Sequence, residues 1–162
     1  MEYIVPFLLV LALVVVPTAF CLRRGRKSVL RMEDGAGVVR YVFGLASNRE
    51  VLYTNYYDFN PAVERPSYNL LGNVLRCKNA CEAGRCGTSR KCAYCALRQG
   101  IINAFSMKKG FNDLFTEMRF NSAHGHEYEA EVRANAIYMV RDDKPHLVLE
   151  VQVPKKDNLK ES

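Results

Sequence analysis

The 162-residue chain is 25% charged and 49% hydrophobic, which excludes a disordered polyelectrolyte and leaves enough apolar sequence for one buried core. Its net charge of +6 invites a nucleic-acid reading, yet five positive residues crowd between Arg23 and Arg31. From Gly35 onward 18 Lys and Arg stand against 14 Asp and Glu, an ordinary solvated surface, so nucleic acid is set aside as a partner.

Tyr3 to Leu22 is a run of 20 residues without a charge, YIVPFLLVLALVVVPTAFCL. As a helix rising about 1.5 Å per residue it would span roughly 30 Å, the thickness of a bilayer core. Arg23, Arg24, Arg26, Lys27 and Arg31 follow it and only Met1-Glu2 precede it, which places the C-terminal side in the cytoplasm. A cleaved signal would carry its basic residues before the run. The expectation is a retained single-pass anchor over 3–22 in the cell inner membrane, with the membrane as one partner. A basic juxtamembrane linker over 23–37 would touch anionic headgroups.

A domain is expected over 38–154, with a polar tail over 155–162. Val38 to Phe43 and Val51 to Asn55, β-branched and aromatic, predict two strands joined by the polar turn Ala46 to Glu50. Residues 56–71 hold two prolines among scattered aromatics and predict short helical turns and loops. Leu97, Ile101, Ile102 and Phe105 recur at helical spacing and predict a core-facing helix over 97–108. Phe115 to Phe120 alternates with period two. So does Tyr128 to Val140, putting Tyr128, Ala130, Val132, Ala134, Ala136 and Tyr138 on one face. Asn121 to Gly125 and Asp142 to Pro145 predict turns, and His146 to Val153 a last strand. The predicted fold class is α+β, a five-stranded antiparallel sheet with helices on one face, preceded by the transmembrane helix.

Cys77, Cys81, Cys86, Cys92 and Cys95 fall within 19 residues, spaced C-x3-C-x4-C-x5-C-x2-C. In a reducing compartment such clusters bind metal or do thiol chemistry more often than they form disulfides. Cys92 and Cys95 form a C-x-x-C pair next to the predicted helix, whose N-terminus would favour their thiolates. Two more sulfurs from Cys77, Cys81 and Cys86 would complete a four-sulfur site for zinc or an iron–sulfur cluster. Redox-active thiols, or cysteines that merely pack as small hydrophobes, are the competing readings.

The remaining candidates carry less chemistry. His124 and His126 sit in a polar turn and His146 opens a strand. A thiol enzyme would want a Cys beside a His and an orienting acid; the histidines lie far from the cysteines in sequence and no local signature links them, so no catalytic residue is assigned. Asp113, Glu117, Glu127, Glu129 and Glu131 fit the wet face of the strands. Tyr53, Tyr56, Tyr57, Phe59 and Tyr68 are candidate linings for a small-molecule pocket, although core packing explains them equally well.

The order of elements resembles the PAS domain, a small sensor fold. Val51 to Asn55 is similar to the family's strand closed by an Asn, Leu70-Leu71-Gly72 to its Leu-x-Gly stretch, and the last three strands to its meander. Gly72 to Cys77, then Cys86-Gly87-Thr88-Ser89 and Cys92-Ala93-Tyr94-Cys95, resemble a subset from bacterial signalling proteins with a Cys-Gly-Thr-Ser-x-x-Cys-x-x-Cys block. That block lacks an equivalent of Cys81, so the resemblance implies Cys77, Cys86, Cys92 and Cys95 as the metal set. No kinase, cyclase or DNA-binding effector follows the sheet in the sequence, so the signal is expected to leave through a signalling protein or a homodimer. The expected function is a membrane-anchored sensory or adaptor protein, not an enzyme, whose cysteines bind metal or sense redox state. A metal-stabilised structural module and a membrane-attached thiol oxidoreductase are the alternatives.

Overall fold

The computed structural model describes residues 29–30 and 37–155. In chain order they form β1 (Val29–Leu30), β2 (Val38–Ala46), β3 (Val51–Thr54), α1 (Tyr56–Phe59), α2 (Leu71–Val74), α3 (Lys78–Ala83), a 3-10 helix (Arg90–Tyr94), α4 (Ala96–Met107), β4 (Phe111–Asn121), β5 (Glu127–Arg141) and β6 (Lys144–Pro154).

Five strands form an antiparallel sheet in the spatial order β3-β2-β6-β5-β4. The two-residue β1 adds a parallel pairing to Glu129 and Ala130, before β6 begins its own pairing with β5 at Arg133. It falls inside the segment expected to be connector. Among the described residues no helix is long and apolar enough to cross a membrane, the longest being the 12-residue α4. This corrects the expected architecture of a sheet domain preceded by a spanning helix. The apolar run over 3–22, on which the anchor, the membrane partner and the inner-membrane placement rested, lies outside the described residues.

The alternation along β5 holds as expected, with Ala130, Val132, Ala134 and Ala136 buried and Tyr128 and Tyr138 half-buried on the same face. Leu147, Leu149, Val151 and Val153 of β6 and Phe43 and Leu45 of β2 complete that inner face. α4 packs on it through Leu97, Ile101 and Ala104. Ile102, expected on the core face, is only half-buried, and the smaller Ala104 takes the place. Between α4 and β4 the chain passes close under β5. A Cβ on Gly110 would lie 2.0 Å from the carbonyl oxygen of Ala136, so only glycine fits there.

The turns follow their residues. Asp142 and Asp143 both take positive φ, 49° and 57°, the pair of left-handed residues that a two-residue hairpin demands. Asn55 ends β3 by continuing its ladder with a side chain. Its Oδ1 accepts from the Val42 amide at 2.7 Å and its Nδ2 donates to the Arg40 carbonyl at 3.3 Å.

Candidate cysteine-lined site

Each cysteine is positioned by a separate local motif. α2 ends in a left-handed residue, Arg76 (φ 55°). The Arg76 amide donates to the Asn73 carbonyl at 3.1 Å and the Cys77 amide to the Gly72 carbonyl at 2.8 Å. This paired bonding satisfies the last carbonyls of the helix and delivers Cys77 as the residue that opens α3. The Cys77 backbone also bridges to Phe120 of β4. α3 then ends at left-handed Gly84 (φ 77°), which turns the chain back toward α2.

Cys86 is fixed by Asn73, whose Oδ1 accepts from the Cys86 amide at 2.8 Å while its Nδ2 donates to the Gly84 carbonyl at 3.1 Å. The absence of a side chain on Gly72 makes room for the sulfur, since a Cβ there would lie 2.6 Å from Cys86 Sγ. Ser89 caps the 3-10 helix by accepting from the Lys91 amide at 3.3 Å, and Cys92 sits buried within that turn. Cys95 is at once the end of the 3-10 helix and the N-cap of α4, where its carbonyl accepts from Gln99. The C-x-x-C pair therefore straddles a helix start, as its spacing predicts.

Cys77, Cys86, Cys92 and Cys95 line one cavity of about 240 Å³, together with Leu71, Gly72, Leu97, Ile101 and Met118. Cys81 is exposed and takes no part in it. Cys77 and Cys95 also face a second, more polar cavity of about 260 Å³, which Lys91, Glu117, Arg119 and Glu129 line. These two sulfurs stand between the two spaces.

Burial pushes the thiols of Cys77 and Cys86 up from the ordinary value. For Cys77 the amides of Ala80 and Asn79 oppose the rise, and for Cys86 the Gly72 backbone does, while the neighbouring thiols add to it. These two are held as neutral thiols in the protein without metal. Among the described residues all five cysteines are unbridged, and no three Cys, His, Asp or Glu side chains form a ready-made ion site. The donor set suits a thiophilic metal. Binding one would deprotonate the thiols and draw them together into the cavity that they already share.

The expected pocket-lining aromatics lie elsewhere. Tyr53, Phe59 and Tyr68 are largely exposed, and Tyr56 is buried in an aromatic group with Tyr41 and Tyr57. His124 and His126 are exposed in the β4–β5 turn and His146 lies on β6. Asn73 and Asn79 were not singled out by sequence reasoning, although both bear on the site. A signal existed for Asn73, because a short helix before a cysteine loop leaves backbone groups for an amide side chain to satisfy. Comparison with protein-family models, with curated proteins and with solved structures finds no match to this chain.

Proposed function

We propose that this chain is a PAS-like sensory module in which Cys77, Cys86, Cys92 and Cys95 hold a metal centre, zinc or an iron–sulfur cluster. It acts by contact with another protein rather than by turnover. One observation carries the reading: four cysteines delivered by four different local motifs line the same cavity, whereas the fifth, Cys81, faces solvent. Chance packing of small hydrophobes does not separate the sulfurs in this way. Apolar walls from Leu71, Leu97, Ile101 and Met118 would shield such a centre from water and set its electronics.

The chain order of two strands, short helices, one longer helix and three strands supports the PAS-like reading. A contact face is available as well. Strand register aligns Tyr53, Gly44, Val148 and Ile137 in one row across the outer side of the sheet. Tyr53 is 55% and Ile137 63% exposed.

The test is metal analysis and an absorption spectrum of protein purified without oxygen. Stoichiometric zinc in a colourless protein, or iron with inorganic sulfide in a coloured one, is expected. Serine substitution at Cys77, Cys86, Cys92 or Cys95 should remove the metal and Cys81→Ser should leave it. Chelation should open residues 72–96 to proteases. A chain that holds no metal, or that loses it equally on Cys81→Ser, refutes the proposal.

A further inference from the structure

We propose that the cysteine-lined cavity also binds a small organic carboxylate with a compact apolar body, its charge held at the rim formed by Arg49, Arg85 and Arg98. The volume of about 240 Å³ corresponds to about eight water-sized groups, more than a metal held by sulfurs would occupy. The floor is apolar, with Leu45, Leu71, Leu97, Ile101 and Met118, and so excludes a fully polar occupant.

The charge around it has one sign. Three arginines line the cavity and no Asp or Glu does. Elsewhere in the fold four cations have carboxylate partners, Lys78 with Glu127, Arg119 with Glu129, Arg133 with Asp113 and Arg141 with Asp142, and the other cations lie dispersed rather than gathered on one cavity. Among the described residues none of Arg49, Arg85 and Arg98 has a carboxylate partner. Arg85 lies over the ring of Tyr68 at 5.1 Å, which orients its guanidinium without neutralising it.

Two further features point to an occupant. Arg49 stands at φ 70° in the β2–β3 turn, a left-handed position where glycine or asparagine is at ease and a long side chain is not. The backbone does not require arginine there, and its side chain lines the cavity. Asn79 lines the cavity with its Oδ1 buried and without a partner. The Asn79 amide thus leaves an unsatisfied polar atom in the wall of the cavity. The inference does not rest on the metal reading, since the sulfurs and the arginine rim are different parts of the wall.

The experiment titrates the full chain with benzoate and with isosteric, neutral benzamide, following methyl resonances of Leu45, Ile101 and Met118. Benzoate should shift these methyls saturably and bind about tenfold more tightly than benzamide, as a charge-assisted contact requires. Arg49→Gly should melt at or above the temperature of the parent chain and lose most of that preference. Arg49→Asn, which also tolerates the left-handed backbone, should do the same. No saturable shift at those methyls, equal binding of the two probes, or an unchanged preference in both variants overturns the proposal.

Discussion

Asn73 is the side chain on which the geometry of the cysteine loop depends most. Replacing it with Ala removes two hydrogen bonds, from the Cys86 amide (2.8 Å) and to the Gly84 carbonyl (3.1 Å). It also leaves a half-buried amide without an acceptor. At about 1 kcal/mol for a typical bond, and somewhat more for an amide left unsatisfied, the loss is about 2 kcal/mol. That is about a 30-fold increase in the population of the opened loop. Because Asn73 joins α2 to residues 84–86, the opening is local: the strand ladders of the sheet do not pass through this loop.

Trypsin reads this directly, since Arg85, Arg90 and Lys91 are all exposed on the loop that Asn73 holds. Where opening and closing outrun cleavage, the rate follows the open population, so Asn73→Ala should be cut there about 30-fold faster than the parent chain. Asn73→Asp keeps an acceptor for Cys86 and loses the donor to Gly84, and should fall between the two. Cleavage of Asn73→Ala at the parental rate, or cleavage that rises equally within β5 and β6, would refute the assignment of Asn73 as the loop's clamp.

Two further outcomes follow from the same site. Gly72→Ala would set a Cβ 2.6 Å from Cys86 Sγ; it should fold with a stability loss of about 1–3 kcal/mol and release metal at lower chelator concentration than the parent. In metal-free protein, the neutral thiols of Cys77 and Cys86 keep their protons above the ordinary value of 9.0, at which the unfolded chain releases them. Stability should therefore be insensitive to these groups below about pH 9 and fall as pH rises through their raised values. Denaturant titrations should show a shallower decline between pH 9 and 10 for the Cys77→Ala, Cys86→Ala double variant. Above pH 10 the raised Tyr56 and Tyr128, the latter pushed up to about 12 by burial, add a loss of the same sign.

The sheet was legible where alternation ran unbroken and obscure where a bulge interrupted it. β5 alternates without interruption along its buried length, and its inner face was readable residue by residue. β4 begins at Phe111 rather than near Phe115, because the register shifts between Phe111 and Leu114 and hides the period. Asp113 takes the left-handed turn of that bulge at φ 55°. Tyr53 was a plausible cavity lining for the same reason. Register pairs Leu45 with Val51 but Gly44 with Tyr53, so the extra residue, Leu52, turns Tyr53 to the outer face. For the site, spacing showed that the cysteines belong together. It did not show that Cys81 points outward, because α3 turns Ala80 into the core and leaves Cys81 exposed. The arginine rim was illegible, since Arg49, Arg85 and Arg98 come from three separate elements.

If the sulfurs are the sensing end of this molecule, their state must reach the sheet through a definite set of bonds, and the α2–α3 joint supplies it. Arg76 donates from Nε to the Asn121 carbonyl at 3.0 Å, and its own carbonyl accepts from the Asn121 amide at 2.9 Å. Cys77, the next residue, bridges to Phe120, and Lys78 pairs with Glu127 at 2.5 Å. Three consecutive residues thus tie the site to the end of β4 and the start of β5. Arg76→Gly separates this link from the site itself: glycine keeps the left-handed turn, so Cys77 stays in place, while the bond from Nε is lost. Metal content should be unchanged in that variant. In the parent chain, removing metal should lower hydrogen-exchange protection at Phe120, Asn121 and Tyr128. In Arg76→Gly that protection should already be reduced and respond much less to metal. If the response to metal stays the same size without the Arg76 side chain, the coupling runs elsewhere and this joint only supports the fold.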